Sequence, residues 1–317
     1  MPRTTTQSVS SKPASSDAAP KTLQLGIIGL DSSHVPEFTR RIHGMAADGT
    51  GRCRVTQFWS DGQHDMPADE VTKWRMQTEA EGVVEAESLS AMLDAVDGVL
   101  VLTVNGAKHE AQAAEALRRG LPTYIDKPLA NDVASAKRLL AAARAGGARC
   151  YSASSLRFAT ELEQVPRDEL GDLVSIDAVG PGELNDAMPR LLFYGVHTVE
   201  MVAALWGPGV VQVRADISDD RDVMQLRYRD GRYAHLRLER KGGYDFGATL
   251  HGTKGLHTFK VDFAPVYSRL VAGMVNFFEG GDAPADLRDI VENVAVIEAA
   301  HRSIEVGGSW VDVPVVE

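Results

Sequence analysis

Lys127 is the first residue whose position suggests chemistry. It follows Asp126 just past the carboxyl end of an apolar segment that ends at Ile125, and open parallel sheets bind their ligands at that edge. An amino group there accepts a proton if burial or a neighbouring cation lowers its pKa. The alternative is a surface lysine that precedes a turn at Pro128.

His197 is the second candidate. It lies with Glu200 on one face of the predicted helix 192–205, because residues three apart are neighbours on a helix. An imidazole works as an acid or a base near neutral pH. The alternative is a histidine satisfied inside the core. Glu200 in turn orients His197, binds a substrate hydroxyl or stays idle at the surface.

A predicted strand–helix–strand unit positions Lys127. Residues 99–102 are wholly apolar, as in a strand that a parallel sheet buries on both faces. The alanine-rich segment 109–119 predicts a helix that ends before Gly120, and a second strand then leads to Lys127. Such a unit has parallel strands and a right-handed crossover.

The turn after the first predicted strand, residues 23–30, matches a dinucleotide fingerprint only in part. Gly29 fits the first glycine of G-x-G-x-x-G, whereas Asp31 and His34 replace the second and the third. Asp31 brings a carboxylate near the phosphates, which electrostatics disfavours.

Two interpretations of this turn remain open. In the first, Ser32 or Ser33 caps the next helix, whose free N–H groups still attract a phosphate while Asp31 points aside. In the second, Asp31 and His34 meet a substrate or a metal, and dinucleotide binding is weakened or lost. We expect Gly29, Asp31, Ser32 and Ser33 to contact the cofactor if the first holds.

Asp61 follows the second predicted strand, residues 55–60, where an acidic residue commonly binds the adenosine ribose. It lies further from Gly29 than the usual spacing of about 20 residues. If Asp61 has this role, NAD is favoured over NADP because a carboxylate repels the 2′-phosphate. A solvated loop aspartate is the alternative.

The order of the elements predicts an α/β fold in two domains. Strands and helices alternate over residues 23–153, which indicates a doubly wound, Rossmann-type sheet. Residues 154–317 instead carry consecutive strand candidates with a tight turn at Asp230-Gly231, so we expect an α+β domain with a mostly antiparallel, open sheet. An open sheet of this kind favours a homo-oligomer. Residues 1–22 are rich in Ser, Thr, Pro and Ala and predict a disordered tail.

The composition limits the class of protein. The net charge of −11 argues against a nucleic-acid-binding surface, and no apolar segment is long enough to cross a bilayer. Two cysteines, Cys53 and Cys150, favour free thiols in a reducing compartment. We therefore expect a cytoplasmic protein that handles small molecules.

The stretch Asp126-Lys127-Pro128 and the strands around it resemble the glucose–fructose oxidoreductase / inositol dehydrogenase / MocA (Gfo/Idh/MocA) family, from about residue 23 to the C-terminus. That family has a lysine–proline pair after this strand, usually preceded by glutamate. The resemblance implies a nicotinamide-dependent oxidoreductase with Lys127 in its active site, NAD or NADP as cofactor, and a sugar, cyclitol or related polyol as substrate. It also places a histidine, matched here by His197, beside the substrate.

The chain departs from this family at several positions. Thr103 matches a threonine near the nicotinamide, and Asn105 and His109 follow in the same loop, but Val104 replaces the usual proline. His109 is either functional or an ordinary residue of a helix's first turn. Phe193 stands where the family has an aspartate four residues before the histidine, which removes a usual substrate contact.

These departures leave two other functions open. One is a lyase or isomerase without redox turnover, in which Lys127, His197 and Asp31 transfer protons. A metal would suit the residue types present, but no tight ligand spacing supports a metal site. The other is a non-catalytic sugar or nucleotide sensor. The candidate substrate contacts are His34, His109, Glu200 and Arg157.

Overall fold

The computed structural model describes residues 21–316, which form two β-sheets flanked by helices. The predicted disordered tail, residues 1–22, lies outside the described residues except for its last two. Among residues 21–316, no helix is long and apolar enough to cross a bilayer.

The first sheet has six parallel strands in the order β3-β2-β1-β4-β5-β6, as the doubly wound prediction requires. Strand order reverses between β1 and β4, and ligands bind at such a switch point in α/β folds. The elements of this half are β1 (Leu23–Ile28), α1 (His34–Asp48), β2 (Cys53–Trp59), α2 (Ala68–Ala80), β3 (Val84–Glu85), α3 (Leu89–Ala95), β4 (Gly98–Val101), α4 (Gly106–Arg118), β5 (Thr123–Ile125), α5 (Val133–Gly146) and β6 (Cys150–Ser152).

The second sheet has seven strands in the order β12-β11-β7-β10-β9-β8-β13, and only the β7–β10 pair among them is parallel. The predicted mostly antiparallel sheet and the turn at Gly231 are thus confirmed. After a short 3-10 helix (Ser155–Phe158) come α6 (Thr160–Glu163), α7 (Arg167–Leu170), β7 (Leu173–Pro181), α8 (Gly195–Trp206), β8 (Val210–Ile217), β9 (Arg221–Tyr228), β10 (Tyr233–Glu239), β11 (Gly247–Gly252), β12 (Leu256–Lys260), α9 (Val266–Phe278), α10 (Leu287–Glu305) and β13 (Val311–Asp312).

Helix α9 comes late in the chain but packs against the first sheet. Its apolar face, including Leu270, Met274 and Phe277, is buried in one cluster with Leu25 of β1 and Phe38 of α1. This contact joins the two halves on the side of the sheet where α1 begins.

Several element boundaries differ from the predicted ones for local reasons. Helix α4 begins at Gly106 rather than at residue 109, because the Asn105 side chain accepts a hydrogen bond from Ala107 N–H. Helix α5 is capped by Asp132, whose side chain accepts from Ser135 N–H. Helix α2 was not predicted at all; it buries few residues, so its apolar periodicity is weak.

Gly29 is the point where β1 and β4 come closest at their carboxyl ends. Its φ is +90°, and a Cβ atom added to it would lie 2.1 Å from Thr103 Oγ1 and 2.8 Å from Thr103 N. Only glycine adopts this conformation and leaves this space without strain. The close approach sets the edge of the sheet on which the candidate site is built.

We predict that Gly29→Ala lowers the free energy of unfolding by about 2–4 kcal/mol, because a left-handed backbone strain and a steric overlap add together. Gly49→Ala is the matched control, since Gly49 has a φ of +79° but open space around it. The control is expected to cost about 1–2 kcal/mol. Urea unfolding measures both, and equal losses would contradict the role of the Thr103 contact.

Candidate active site

Lys127 lies past the carboxyl end of β5, and it is 7% exposed. Its amino group is 3.5 Å from the Phe193 carbonyl oxygen, to which it donates, and 5.7 Å from the centre of the Phe193 ring. Burial lowers the pKa of Lys127, although the carboxylates of Asp126 and Glu200 act in the opposite direction. The amine therefore holds its proton less firmly than an ordinary lysine does.

The Asp126 carboxylate is 1% exposed and accepts hydrogen bonds from three donors. These are Lys127 N–H at 2.8 Å, Tyr124 O–H at 3.2 Å and His34 Nδ1 at 2.6 Å. Burial acts to raise the pKa of Asp126, but His34 and then Lys127 outweigh it, so the pKa is lowered. An ionised carboxylate only accepts hydrogen bonds, so His34 Nδ1 carries the proton.

His34 opens the first turn of α1 and lies between the buried carboxylate and the surface. Its Nε2 is 3.3 Å from the Tyr267 hydroxyl of α9, and its ring stacks on Phe38 with centroids 4.6 Å apart. On its outer side is a groove of about 480 Å³ between α1 and α2, whose lining includes Ser33, His34, Glu37, Arg40, Trp74 and Tyr267.

His197, on α8, is 8% exposed. Its Nδ1 is 2.7 Å from Ser154 Oγ, and its ring lies 5.6 Å from that of Tyr194. Burial lowers the pKa of His197 well below its ordinary value, and the charges of Lys127 and His34 lower it further. His197 is therefore neutral at pH 7. Because Lys127 Nζ bonds to the carbonyl of Phe193, two residues before α8 begins, the amine from the first half of the chain lies near the start of the helix that carries the imidazole.

Glu200 bonds to the backbone of Ser154, and Arg157 lies next to Glu200. Glu200 Oε2 accepts from Ser154 N–H at 2.8 Å, and Arg157 Nη1 is 4.0 Å from the same oxygen. Burial raises the pKa of Glu200, and Arg157 opposes that effect. Both residues were expected to contact substrate; the geometry instead makes them a buried pair that fixes the residue bonded to His197.

Asp31 does not point at the start of α1. Its carboxylate is 1% exposed and accepts from Val104 N–H at 3.2 Å and from Asp65 N–H at 3.0 Å. Asp65 belongs to residues 60–67, the segment between β2 and α2, which we call the strap. In this respect the turn agrees with the first of the two interpretations, in which Asp31 points aside.

The strap is held down by further hydrogen bonds. Asp65 Oδ2 accepts from Asn105 Nδ2 at 3.0 Å and lies 2.9 Å from Lys108 Nζ. Asn105 Nδ2 also donates to the Ala187 carbonyl at 3.0 Å, which ties the loop after β4 to the segment before α8. The strap therefore crosses the carboxyl edge of β1 and β4.

His109, in the first turn of α4, bonds to two backbone carbonyls, and its expected contact with substrate stays a prediction. The residue is fully buried, its Nε2 is 2.7 Å from the Thr103 carbonyl and its Nδ1 is 3.2 Å from the Leu129 carbonyl. Burial lowers the pKa of His109. The imidazole joins the loop after β4 to the segment that follows Lys127. The Thr103 hydroxyl is buried against Gly29 with no hydrogen-bond partner among the described residues.

Asp61 follows β2, and its expected contact with the adenosine ribose stays a prediction. It is exposed and accepts from Gln63 N–H at 2.9 Å, which turns its carboxylate back on its own loop. Ser32 Oγ accepts from His34 N–H at 3.2 Å, whereas Ser33 makes no capping hydrogen bond with its side chain. Among residues 21–316, no cluster of three or more His, Cys, Asp or Glu side chains is arranged to hold a metal ion.

Three residues of the site were missed by sequence reasoning. Ser154, Tyr267 and Asp65 lie far along the chain from the residues they contact, and each is of a type that is common at protein surfaces. No local spacing marks them. Only Ser154 carried a hint, because it directly follows a predicted strand of the first sheet.

The sequence matches a known family over its first half. Residues 23–155 match the family GFO_IDH_MocA, described as an oxidoreductase family with an NAD-binding Rossmann fold. The inositol 2-dehydrogenase of Burkholderia ambifaria is 31% identical over 139 residues, which are 43% of this chain and 37% of that relative. The match thus spans well under two thirds of the relative's length.

Solved structures resemble this fold over nearly its whole length. One is scyllo-inositol dehydrogenase from Lactobacillus casei with NAD(H) and scyllo-inositol, with a TM-score of 0.74 and 16% identity over 92% of this chain and 99% of that one. Another is the WlbA dehydrogenase from Bordetella pertussis with NADH and UDP-GlcNAcA, with a TM-score of 0.74 and 17% identity over 93% and 100% of the two chains. At these identities the likeness shows the fold alone.

We predict that Asp65→Ala frees the strap, because it removes the acceptor of both Asn105 and Lys108. Backbone amide exchange of residues 60–67, measured by mass spectrometry, is expected to speed up about tenfold, equivalent to a loss of about 1.4 kcal/mol of local stability. His64→Ala, at an exposed position of the same segment, is the control. Unchanged exchange in the Asp65 variant would show that the strap is held by other contacts.

Proposed function

We propose that this chain, a member of the Gfo/Idh/MocA oxidoreductase family through residues 23–155, is an NAD(H)-dependent dehydrogenase or reductase of a small polyhydroxylated compound. The observation that carries the proposal is the buried amine of Lys127 at the carboxyl end of a parallel strand, bonded to the Phe193 carbonyl just before the helix that carries the buried His197. A sugar, cyclitol or related polyol is the substrate class, in line with the inositol and nucleotide-sugar ligands of the similar proteins.

The first turn fits a dinucleotide in part. Gly29 keeps the edge of β1 free of a side chain, and the N–H groups at the start of α1, near Ser32 and Ser33, suit a phosphate. The Asp31 carboxylate accepts hydrogen bonds from two backbone N–H groups, so it does not point at that phosphate. The strap is the part of the chain that has to be displaced, since it crosses the edge along which a dinucleotide lies.

The reaction assigns Lys127 as the general base. A substrate hydroxyl placed against the neutral amine of Lys127 gives up its proton to Nζ. The carbon that carries this hydroxyl gives up a hydride, and its C–O single bond becomes a C=O double bond. Bound NAD⁺ supplies the hydride acceptor. The lowered pKa of Lys127 makes the neutral amine available, and the reverse reduction takes the proton back from the ammonium.

His197 orients the same hydroxyl. Ser154 Oγ accepts from Leu156 N–H, so its own proton is free to point at His197 Nδ1. The neutral imidazole then carries its proton on Nε2 and donates it to the substrate oxygen. Ser154, fixed by Glu200, thereby selects the tautomer of His197.

NADH fluorescence titration of the full chain, followed by turnover with NAD⁺ and a panel of inositols and aldoses, tests the proposal. We expect NADH to bind to wild type and more tightly to Asp65→Ala. Lys127→Met and His197→Asn are expected to lower kcat by about 10²–10⁴-fold, as for loss of an acid–base group. Lys137→Met, at an exposed position of α5, is the control. Failure of NADH to bind to both wild type and Asp65→Ala would overturn the redox assignment.

The pH dependence of oxidation has a defined sign. Because Lys127 acts as a neutral amine, kcat falls as the pH drops through its pKa, which lies below the ordinary 10.5. His197 is already neutral and adds no second limb near its ordinary pKa of 6.5. A kcat profile over pH 5–10 checks this. An acidic limb that disappears in His197→Asn would assign the base to His197 instead.

The strap also favours a second candidate, a lyase or isomerase that uses the same site without redox turnover. With the strap seated, Asp65 and Asn105 fill part of the path of a dinucleotide, while Lys127 and His197 remain able to transfer protons. The NADH titration separates the two: a chain that interconverts polyol substrates but binds no NADH in either form is the second kind of enzyme.

We also propose that the protein works in the cytoplasm as a homo-oligomer. Two free cysteines suit a reducing compartment, and the second sheet has an outward face with a cavity of about 510 Å³.

A further inference from the structure

We propose that His34 is a positioning residue for Lys127: by binding the Asp126 carboxylate, it keeps that carboxylate from pairing with the Lys127 amine. The inference rests on the proposed function, because it concerns the base of that reaction. His34 occupies the third glycine position of the dinucleotide fingerprint, and the reaction as proposed above gives it no part.

Both oxygens of the Asp126 carboxylate accept hydrogen bonds. Asp126 Oδ1 accepts from Lys127 N–H and Tyr124 O–H, and Oδ2 accepts from His34 Nδ1 at 2.6 Å, the shortest of the three contacts. Lys127 follows Asp126 directly in the chain, yet its side-chain amine bonds to the Phe193 carbonyl and not to a carboxylate among the described residues. The nearest negative charge is thus committed to an imidazole.

The energetic consequence follows from the burial of both groups. A buried amine and a buried carboxylate that are free to meet form an ion pair, which stabilises the ammonium and raises the pKa of the amine. A charged Lys127 cannot accept a proton from a substrate hydroxyl. His34 removes that competition by supplying the donor that Asp126 needs.

His34 is itself held from every side. Its ring stacks on Phe38, and Nε2 faces the Tyr267 hydroxyl, so the imidazole cannot swing away from Asp126 without losing both contacts. The titratable groups packed around it are Glu37 of its own helix, Tyr124, Asp126 and Lys127 at β5, His197 of α8 and Tyr267 of α9.

Three variants of His34 separate this role from a merely structural one. His34→Asn keeps an N–H donor at the position of Nδ1. His34→Phe keeps the stack on Phe38 but has no donor, and His34→Gln places its amide near the position of Nε2 instead. Each is combined with Asp126→Asn, in which no carboxylate is left to pair with Lys127.

The readout is the titration of Lys127 itself, followed by NMR of the full chain labelled with ¹³C at the lysine ε-carbon and assigned with Lys127→Met. We expect the Lys127 pKa to rise by about one unit or more in His34→Phe and His34→Gln, and to stay near wild type in His34→Asn. The rise should vanish in the Asp126→Asn background. If either His34→Phe or His34→Gln does not fold, the other provides the test.

A Lys127 pKa that is the same in wild type, His34→Phe and His34→Gln overturns the inference, and so does a rise that persists without Asp126. The titration needs no dinucleotide, so it stands apart from the turnover assay. A wild type that fails to bind NADH would defeat the proposed redox function and leave the NMR result to decide the role of His34.

Discussion

A buried negative charge organises the site. Asp126 sits at the end of a fully buried strand, where an unpaired carboxylate is very costly, so the fold has to bring donors to it. It draws on the backbone N–H of Lys127, a hydroxyl from its own strand and an imidazole from α1. These hydrogen bonds to Asp126 hold the start of α1 and the residue that follows β5. The bond between His34 and Tyr267 extends this contact to α9.

The two halves of the chain contribute different parts of the site. The first half provides Lys127 and the Asp126 carboxylate at the edge of a parallel sheet. The second half provides His197, on a helix held by the bonds of Ser154 to His197 and Glu200. Lys127 and His197 are almost completely shielded from water, which is why both pKa values are lowered. The imidazole is neutral at pH 7, and the amine gives up its proton more readily than an exposed lysine does.

The regular parts of this arrangement were predictable from the sequence. Lys127 and His197 sit at the end of a strand and within a long helix, so periodicity and turn signals locate them. The hydrogen bonds of Asp61 and His109 could not be predicted from the sequence: Asp61 bonds to its own loop, and His109 bonds to two backbone carbonyls. Residue type alone cannot distinguish such partners from a ligand.

The contacts of the strap could not be predicted from the sequence for a related reason. Asp65, Asn105 and Lys108 belong to two loops that meet only once the sheet has formed, and loop conformation is set by tertiary contacts rather than by local propensity. The Asp31 substitution was visible in the sequence, but the donors that satisfy its charge were not. The departure from the glycine fingerprint therefore signalled a changed turn without revealing what the turn now does.

The central claim is that a dinucleotide and a substrate meet where Lys127 faces His197. A crystal structure of the full chain grown with NADH tests it most directly. The account predicts the nicotinamide between these two side chains, the phosphates at the start of α1, and residues 60–67 lifted from Asn105. A structure in which Asp65 stays bonded to Asn105 and Lys108, with no dinucleotide over the first sheet, would contradict it.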